Sequence, residues 1–533
     1  MDLPAGLILG RRPIKKRGIF YSSISEDINP ETVWGNEWNV IEKKDIEKPY
    51  SRISIVQNKE TSEMIYFVEE PPLSDVLKNI IKSIKEYIVY SINETFDSNE
   101  KKASFIRSSI DEYSLDKSLP LSNLDKEKIF YYIFRDFVGY GPIQVMMIDP
   151  DIEDISCDGP RLPIFIYHRR YGSMKSNVQF ESEEDLDTYV IWIVQKSGKH
   201  ISVANPMIDC SLPDSSRLQA TLSREVTKKG STFTIRRFKE SPFTPLDLIK
   251  LKTLDKKMLA FLWLAVEHGM SAFVVGGTAS GKTTTLNTLL LFIPPGKKII
   301  SIEDTREINI PHENWIPAVT KPGIGEVNPI TNKRVGEVNM FDLLVASLRQ
   351  RPNYIVVGEV RGQEAYTVFQ AMATGHTAYT TFHADEIRAM VHRLESEPIN
   401  LPRVMMTSLD LVILQGQVKV EGKLTRRIKE ISEIVPESSS DELNTNRVYS
   451  WEQAFDEFRY MGHSYVLDKI KNIRNWNQTR VDIELKRRER IFDYMEIIGI
   501  SNFRDFANVV YQYNRNEKEF LENLRQVLGE DIP

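Results

Sequence analysis

The sequence predicts an α/β domain with an α+β domain before it and a helical region after it. Three observations carry that reading. Between residues 246 and 429 short apolar runs alternate with amphipathic segments, the pattern of a parallel sheet with covering helices. Residues 49–235 hold short strands punctuated by Gly and Pro together with capped helices. From 430 to 533 the chain turns helical: Ile491, Tyr494, Met495 and Ile498 keep helical spacing, and no Pro interrupts before the last residue.

Taken in order, residues 1–48 show little periodicity and read as an extension. Its cluster Arg11, Arg12, Lys15, Lys16 and Arg17 reads as a solvated tail, with contact to an anionic membrane surface as the alternative. "RISIVQ" and "MIYFVEE" alternate as the strands of a hairpin around "NKETSE". In "LSDVLKNIIKSIKEYIVYSI", Leu77, Ile80, Ile81, Ile84 and Ile88 form one helical face behind a Ser74 cap, expected to be core. A helix over 126–137 leads into Gly- and Pro-broken strands over 139–174, and "ESEEDLDTYVIWIVQKSGK" reads as another capped helix. Residues 236–245, within "FTIRRFKESPFTPLDLIK", are read as the interdomain linker. "RRIKEISEIVPESSSDELNTNRV" is read as a polar bridge to the helical region.

Composition narrows the function classes. At 533 residues the chain has room for several cores, and 41% hydrophobic and 27% charged residues are ordinary for a globular protein. A net charge of −6 argues against nonspecific nucleic-acid binding as its main task. Two cysteines, Cys157 and Cys210, are too few for a four-thiolate zinc site, so none is expected. Both are read as core residues in a reducing cytosol. The apolar run 258–266 stops at Glu267, too short to span a bilayer, and the N-terminus lacks a signal-peptide pattern.

The chemistry concentrates in "AFVVGGTASGKTTTLNTLLLFIP". Gly276, Gly281, Lys282 and Thr283 have the spacing of a phosphate-binding P-loop, in which backbone N–H groups wrap phosphates, the Lys neutralises them and the hydroxyl ligates Mg²⁺. Gly277, Thr278, Ala279, Ser280 and Thr284 complete the loop. A buried-strand run over 273–275 precedes it, and Leu286, Leu289, Leu290 and Ile293 at helical spacing follow, so a helix N-terminus faces the phosphates. Phosphoryl transfer also needs carboxylates at strand ends and cations for the charge that develops. "KIISIEDTREINIPH" ends an apolar run in Glu303 and Asp304. "SLRQRPNYIVVGEVRG" ends a Walker B-like strand in Gly358 and Glu359, and "TGHTAYTTFHADE" carries His376 and His383.

In order and wording, "GGTASGKTT", "SIEDTRE", "LRQRPNYIVVGEVRG" and "TGHTAYTTFHA" resemble the Walker A, Asp box, Walker B and His box of the type II/IV secretion ATPases. Upstream, "FVEEPPLS", "FRDFVGYGPIQVMMIDPDIEDISCDG", "PMIDCSLPDSSRLQAT" and "FTIRRF" resemble the archaeal branch of that superfamily, the archaellum and archaeal pilus assembly ATPases. The resemblance spans residues 50 to 430. It implies a RecA-like P-loop NTPase domain, with ATP and Mg²⁺ held by Lys282, Thr283 and Glu359, the last directly or through water. It further implies Glu303 as general base and His376 and His383 as links from the γ-phosphate to domain motion. Candidate arginines for transition-state charge are Arg217, Arg236, Arg237 and Arg349.

The same resemblance implies a hexamer on the inner face of the cell membrane, as a peripheral protein acting through a polytopic platform protein on pilin-like subunits. A conjugation-type secretion ATPase or a retraction motor is the alternative; a nucleic-acid translocase or a non-hydrolysing scaffold is less favoured. Two departures stand out: Ser215 where relatives usually have Gly, and Asn353 in place of a frequent Asp.

Overall fold

The structure, a computed structural model, describes residues 38–92, 96–238, 242–321, 323–328, 333–435 and 444–529. The N-terminal arginines and lysines at 11–17 therefore lie outside the described residues. Two compact units divide after Phe238, inside the stretch read as linker.

The first unit runs through β1 (Trp38–Glu47), β2 (Ser51–Asn58), β3 (Met64–Glu69), α1 (Asp75–Ser91), α2 (Asn99–Asp116), α3 (Asn123–Phe137) and the short α4 (Gln144–Ile148). It continues with β4 (Ile152–Cys157), β5 (Pro163–His168), β6 (Gly172–Gln179), α5 (Glu183–Lys196), β7 (Met207–Ser211), β8 (Arg217–Thr221) and β9 (Thr232–Arg236). All nine strands form one sheet in the order β1-β2-β3-β6-β5-β4-β9-β8-β7, antiparallel except where β3 meets β6. The hairpin over 52–70 forms as the alternation requires, with Ile53 and Ile55 buried. The Ser74 hydroxyl caps α1 by accepting from Leu77 N–H, and Ser182 does the same for α5 from Asp185 N–H. Cys157 and Cys210 are buried free thiols.

One expectation is corrected here. Residues 38–47, read as part of the extension, form the edge strand β1 paired with β2 along its length. Lys44 fastens it to Asp149 and Asp151 at 2.9 and 2.6 Å. A charged edge strand that is half in water needs no strict alternation, so its periodicity is weak. Ser215 explains its own oddity: it sits at φ 69° in the β7–β8 turn, the left-handed conformation that favours glycine.

The second unit opens with α6 (Pro245–Lys250), α7 (Lys256–Glu267), β10 (Ala272–Val275), α8 (Lys282–Leu290), β11 (Ile299–Glu303), β12 (Trp315–Val319) and the hairpin β13 (Ile324–Asn328) and β14 (Lys333–Val335). There follow α9 (Met340–Leu348), β15 (Tyr354–Val360), α10 (Glu364–Ala373), β16 (Thr377–Phe382), α11 (Ile387–Glu395), α12 (Arg403–Met406) and β17 (Leu411–Val420). The chain closes with β18 (Lys423–Val435), β19 (Asn444–Glu452), β20 (Glu457–Tyr460), α13 (Tyr465–Arg474), α14 (Gln478–Ile497), α15 (Phe503–Arg515) and α16 (Glu517–Leu528). The sheet order is β12-β11-β15-β16-β10-β17-β18-β19-β20. It is parallel from β12 to β17, the RecA-like core, and antiparallel from β18 onward. Asn353 is structural: its side chain accepts from Lys298 N–H at 2.8 Å and aligns β15 beside β11.

The region from 430 on is thus only partly helical, and position 429 falls inside β18. The polar "bridge" is largely β18 and β19, with 436–443 outside the described residues. A two-residue turn at Glu421 and Gly422, φ 48° and 79°, folds β18 back on β17. Charged residues at both exposed and buried positions of β18, Arg427 and Glu433 among the buried, hid this pattern.

The C-terminal helices share one apolar core with α7 and α8. Trp263 of α7 stacks on Phe292 with ring centroids 5.2 Å apart. Arg488 of α14 lies 5.1 Å from the Trp263 ring, bonded to Glu267 at 2.6 Å and Glu484 at 2.7 Å. Glu433 of β18 accepts the N–H groups of Tyr465 and Val466 at 2.8 and 3.0 Å, pinning the start of α13 to the sheet. Because Arg488 is 1% exposed, Glu484→Ala removes one of its two carboxylate partners and leaves Glu267 as the other. We expect a loss of about 1.5–3 kcal/mol, read by urea unfolding of the full chain followed through tryptophan fluorescence.

Candidate active site

The loop joining β10 to α8 is held by backbone contacts from two neighbouring strands. Gly276 donates its N–H to Phe382 O, the last residue of β16, at 3.1 Å. A Cβ at Gly276 would meet Gln415 O of β17 at 2.2 Å, so no other residue fits without moving the strand. Ala279 at φ 57° and Gly281 at φ 93° turn the chain through left-handed conformations into the helix. Ser280 is buried and its hydroxyl donates to Gly277 O at 2.9 Å; Thr278 and Ala279 are exposed at the tip. Thr283 and Thr284 are half-buried on the first turn of α8.

Lys282 folds back over the loop, its ammonium donating to Gly276 O at 2.9 Å and Gly277 O at 2.8 Å. Burial pulls this ammonium below the ordinary lysine range, while Glu359 and then Asp385 hold it up. Those carbonyl contacts are what an anion near the loop would replace.

Glu303 ends β11 at the same C-terminal edge of the sheet and is 2% exposed. One oxygen accepts the N–H groups of Glu307 and Ile308 at 2.8 and 2.9 Å; the other is buried with no hydrogen-bond partner among the described residues. Burial pushes the carboxyl up to about 7 against the help of those two N–H groups. Asp304, beside it, is exposed and accepts from the Thr320 hydroxyl at 3.1 Å.

Gly358 of β15 packs against this carboxylate: a Cβ there would lie 3.1 Å from Glu303 Cγ. An Asp in that place would crowd Glu303 and set a second negative charge beside it. Glu359, the next residue, is half-buried and paired with Arg361.

The two histidines separate. His383 follows β16 directly, at the edge where Phe382 meets the loop, and its carbonyl accepts from Arg393 at 2.9 Å. His376 precedes the same strand and contacts Thr374. At about 3.3 Å per residue the two lie roughly 20 Å apart, so the chain does not bring His376 to the loop. Arg349 follows α9 and precedes β15, so it too sits at the opposite edge of the sheet, exposed. In the first unit, Arg217 pairs with Asp209 at 3.1 Å and Arg236 lies 3.4 Å from Asp154. Arg237 donates to the Asp149 carbonyl.

A family model described as type II/IV secretion system protein matches residues 140–461. The chain belongs to this family. An uncharacterized protein of Methanocaldococcus jannaschii is 38% identical over 404 residues, 75% of this chain and 72% of that protein. That likeness fits the archaeal branch. Protein VirB11 of Agrobacterium fabrum is 30% identical over 273 residues, 45% of this chain and 75% of its own length. Among solved structures, the pilus retraction motor PilT with bound ADP matches at 22% identity and TM-score 0.39, over 55% of this chain and 82% of that one. The ATPase DotB of Legionella pneumophila matches at 22% and 0.38, over 52% and 76%.

In this member of the secretion family the residues that gather at one sheet edge are the P-loop, Glu303, Glu359 and His383. Four further contacts were missing from the sequence reading. Asp385 Oδ1 would lie 2.7 Å from a Cβ on Gly277, and Gln415 accepts from the Thr285 hydroxyl at 2.6 Å. Gln417 and Arg426 of the β17–β18 hairpin both reach Ala279. Asp385 lies two residues past His383 in the quoted His segment, whereas Gln415, Gln417 and Arg426 have no motif around them; only the pairing of β17 beside β10 brings that hairpin to the loop. Among the described residues no cluster of three or more metal-ligating side chains occurs. Thr283 offers a hydroxyl and Glu359 a carboxylate, oxygen donors of the kind Mg²⁺ accepts while phosphate oxygens and water fill the rest of its shell.

Glu303 also makes stability depend on pH. Its folded-state value near 7 lies above the ordinary glutamate value of 4.5, so the neutral form is favoured on folding and that stabilisation is lost as pH rises through about 7. Glu303→Gln has no such loss. Relative to wild type, the variant should gain about 2 kcal/mol of stability between pH 5 and pH 8, measured by chemical denaturation at both values.

Proposed function

We propose that this chain is an ATP-hydrolysing motor of a filament-assembly or secretion system, working as a hexamer with a polytopic membrane platform protein. The observation that carries the reading is the geometry of Glu303. A carboxylate with one oxygen fixed by two backbone N–H groups and the other buried without a partner stands at the sheet edge that holds Lys282. Such an oxygen is set to accept a proton from water, and a pKa near 7 suits a general base at neutral pH. Lys282 would leave the loop carbonyls for the β- and γ-phosphates, and the N-terminus of α8 would face them as well. Magnesium held by Thr283 and, through water, by Glu359 would screen the phosphate charge. His383 sits where a γ-phosphate could be sensed at the end of β16.

Hydrolysis would then drive a change between the chain's two units, passed to the platform protein and on to pilin-like subunits. No helix among the described residues is long and apolar enough to cross a membrane; association at the inner face belongs to the same proposal. The acidic balance supports a protein partner rather than nucleic acid.

Steady-state ATP hydrolysis with Mg²⁺, with and without single-stranded DNA, should show turnover in wild type that DNA leaves unchanged. Glu303→Gln should keep ATP binding and lose about 10²–10⁴-fold in kcat. Light scattering should show assembly toward six subunits with nucleotide. Binding without hydrolysis in wild type would make the protein a nucleotide-gated scaffold, and stimulation by DNA would make it a translocase.

A further inference from the structure

The charge argument for phosphoryl transfer asks for an arginine, and the structure offers one that no motif marks. Gln417 and Arg426 are direct cross-strand partners in the β17–β18 hairpin. Both donate to the carbonyl of Ala279 at the tip of the P-loop, Gln417 Nε2 at 3.2 Å and Arg426 Nε at 3.0 Å. The arginine stem lies along the loop: its Cδ would be 3.3 Å from a Cβ on Gly281. The residue is exposed, and among the described residues no carboxylate forms an ion pair with it. Its neighbour Arg427 shows the contrast, buried and bonded through Nε and Nη2 to Asp456 at 2.8 and 3.0 Å.

Bracing the Ala279 carbonyl requires only a neutral donor, and Gln417 already supplies one. A guanidinium that keeps its charge unneutralised beside an anion-binding loop has a use for that charge. Only Nε is engaged with the loop, so two terminal nitrogens, one carbon away, remain for an oxyanion in the fork geometry that arginine offers phosphates. We propose that Arg426 is a second phosphate-binding cation of the nucleotide site, supplied by the same chain as Lys282. This rests on the reading of the loop as a nucleoside-triphosphate site. Residues 276–282 would grip the phosphates from one side and the hairpin from the other, so nucleotide occupancy would tie β17 and β18 to the loop.

The test is isothermal titration of the full chain with ADP and with inorganic pyrophosphate, for wild type, Arg426→Gln, Arg426→Lys and Gln417→Ala. Arg426→Gln keeps a donor for the Ala279 carbonyl but removes the charge; it should bind both probes about tenfold more weakly, with an unchanged melting temperature. Arg426→Lys should recover most of the affinity, and Gln417→Ala should lose less than about threefold. Arg426→Gln binding as tightly as wild type overturns the proposal, as does an equal loss in Gln417→Ala, which would mean bracing alone. Wild type that binds neither ADP nor pyrophosphate takes down the nucleotide reading and this proposal together. Wild type that binds both while Arg426→Gln is unaffected removes Arg426 only.

Discussion

The second unit is organised by one close approach: Gly276 against the carbonyl of Gln415, with its N–H on the carbonyl of Phe382. A methyl group at that point cannot be accommodated, and the two contacts lock the phosphate loop to strands on both sides of β10. Every other feature of the site is placed relative to that lock. Glu303 and Glu359 arrive on β11 and β15, whose register with β10 and β16 brings their C-terminal ends to the same edge. His383 arrives because β16 ends there, and Arg426 because β17 turns back there.

Burial does the rest of the chemical tuning. Glu303 is withdrawn from water at the end of a strand whose residues are all buried, and the missing side chain at Gly358 is what lets it sit there. Keeping a single carboxylate in that pocket leaves one oxygen without a partner, which is costly for folding and useful for taking a proton. The strain between the two is the ordinary relation between a stable core and a reactive site.

The helical C-terminus is part of the same body. Trp263, Phe292, Phe492 and Phe506 pack in one core, with Arg488 and Glu484 buried in it and Glu267 half-buried beside them. Glu433 carries the sheet's last antiparallel strands into the first of these helices. A change in the position of β17 or β18 at the nucleotide site would therefore reach the C-terminal helices through hydrogen bonds and packing already in place.

Much of this was legible in the sequence because the signals are local. The Gly–Lys–Thr spacing, the helix caps at Ser74 and Ser182, and the buried-strand runs before Glu303 and Glu359 depend on neighbours a few residues away, and backbone sterics and capping act at that range. What the sequence could not decide were relations across the sheet. His376 and His383 look alike in a seven-residue motif, yet a strand between them sends them to opposite edges. Arg349 reads as a cation near a Walker B strand and lies at that strand's far end. Residues 38–47 are a strand whose solvent-facing charges mask its period, 423–435 is one that carries charges on both exposed and buried positions, Arg427 and Glu433 among the buried, and Arg426 owes its place to a hairpin turn and to the order of strands. Those outcomes depend on which strand pairs with which and in what direction, and that is settled only when the whole sheet has buried its two faces.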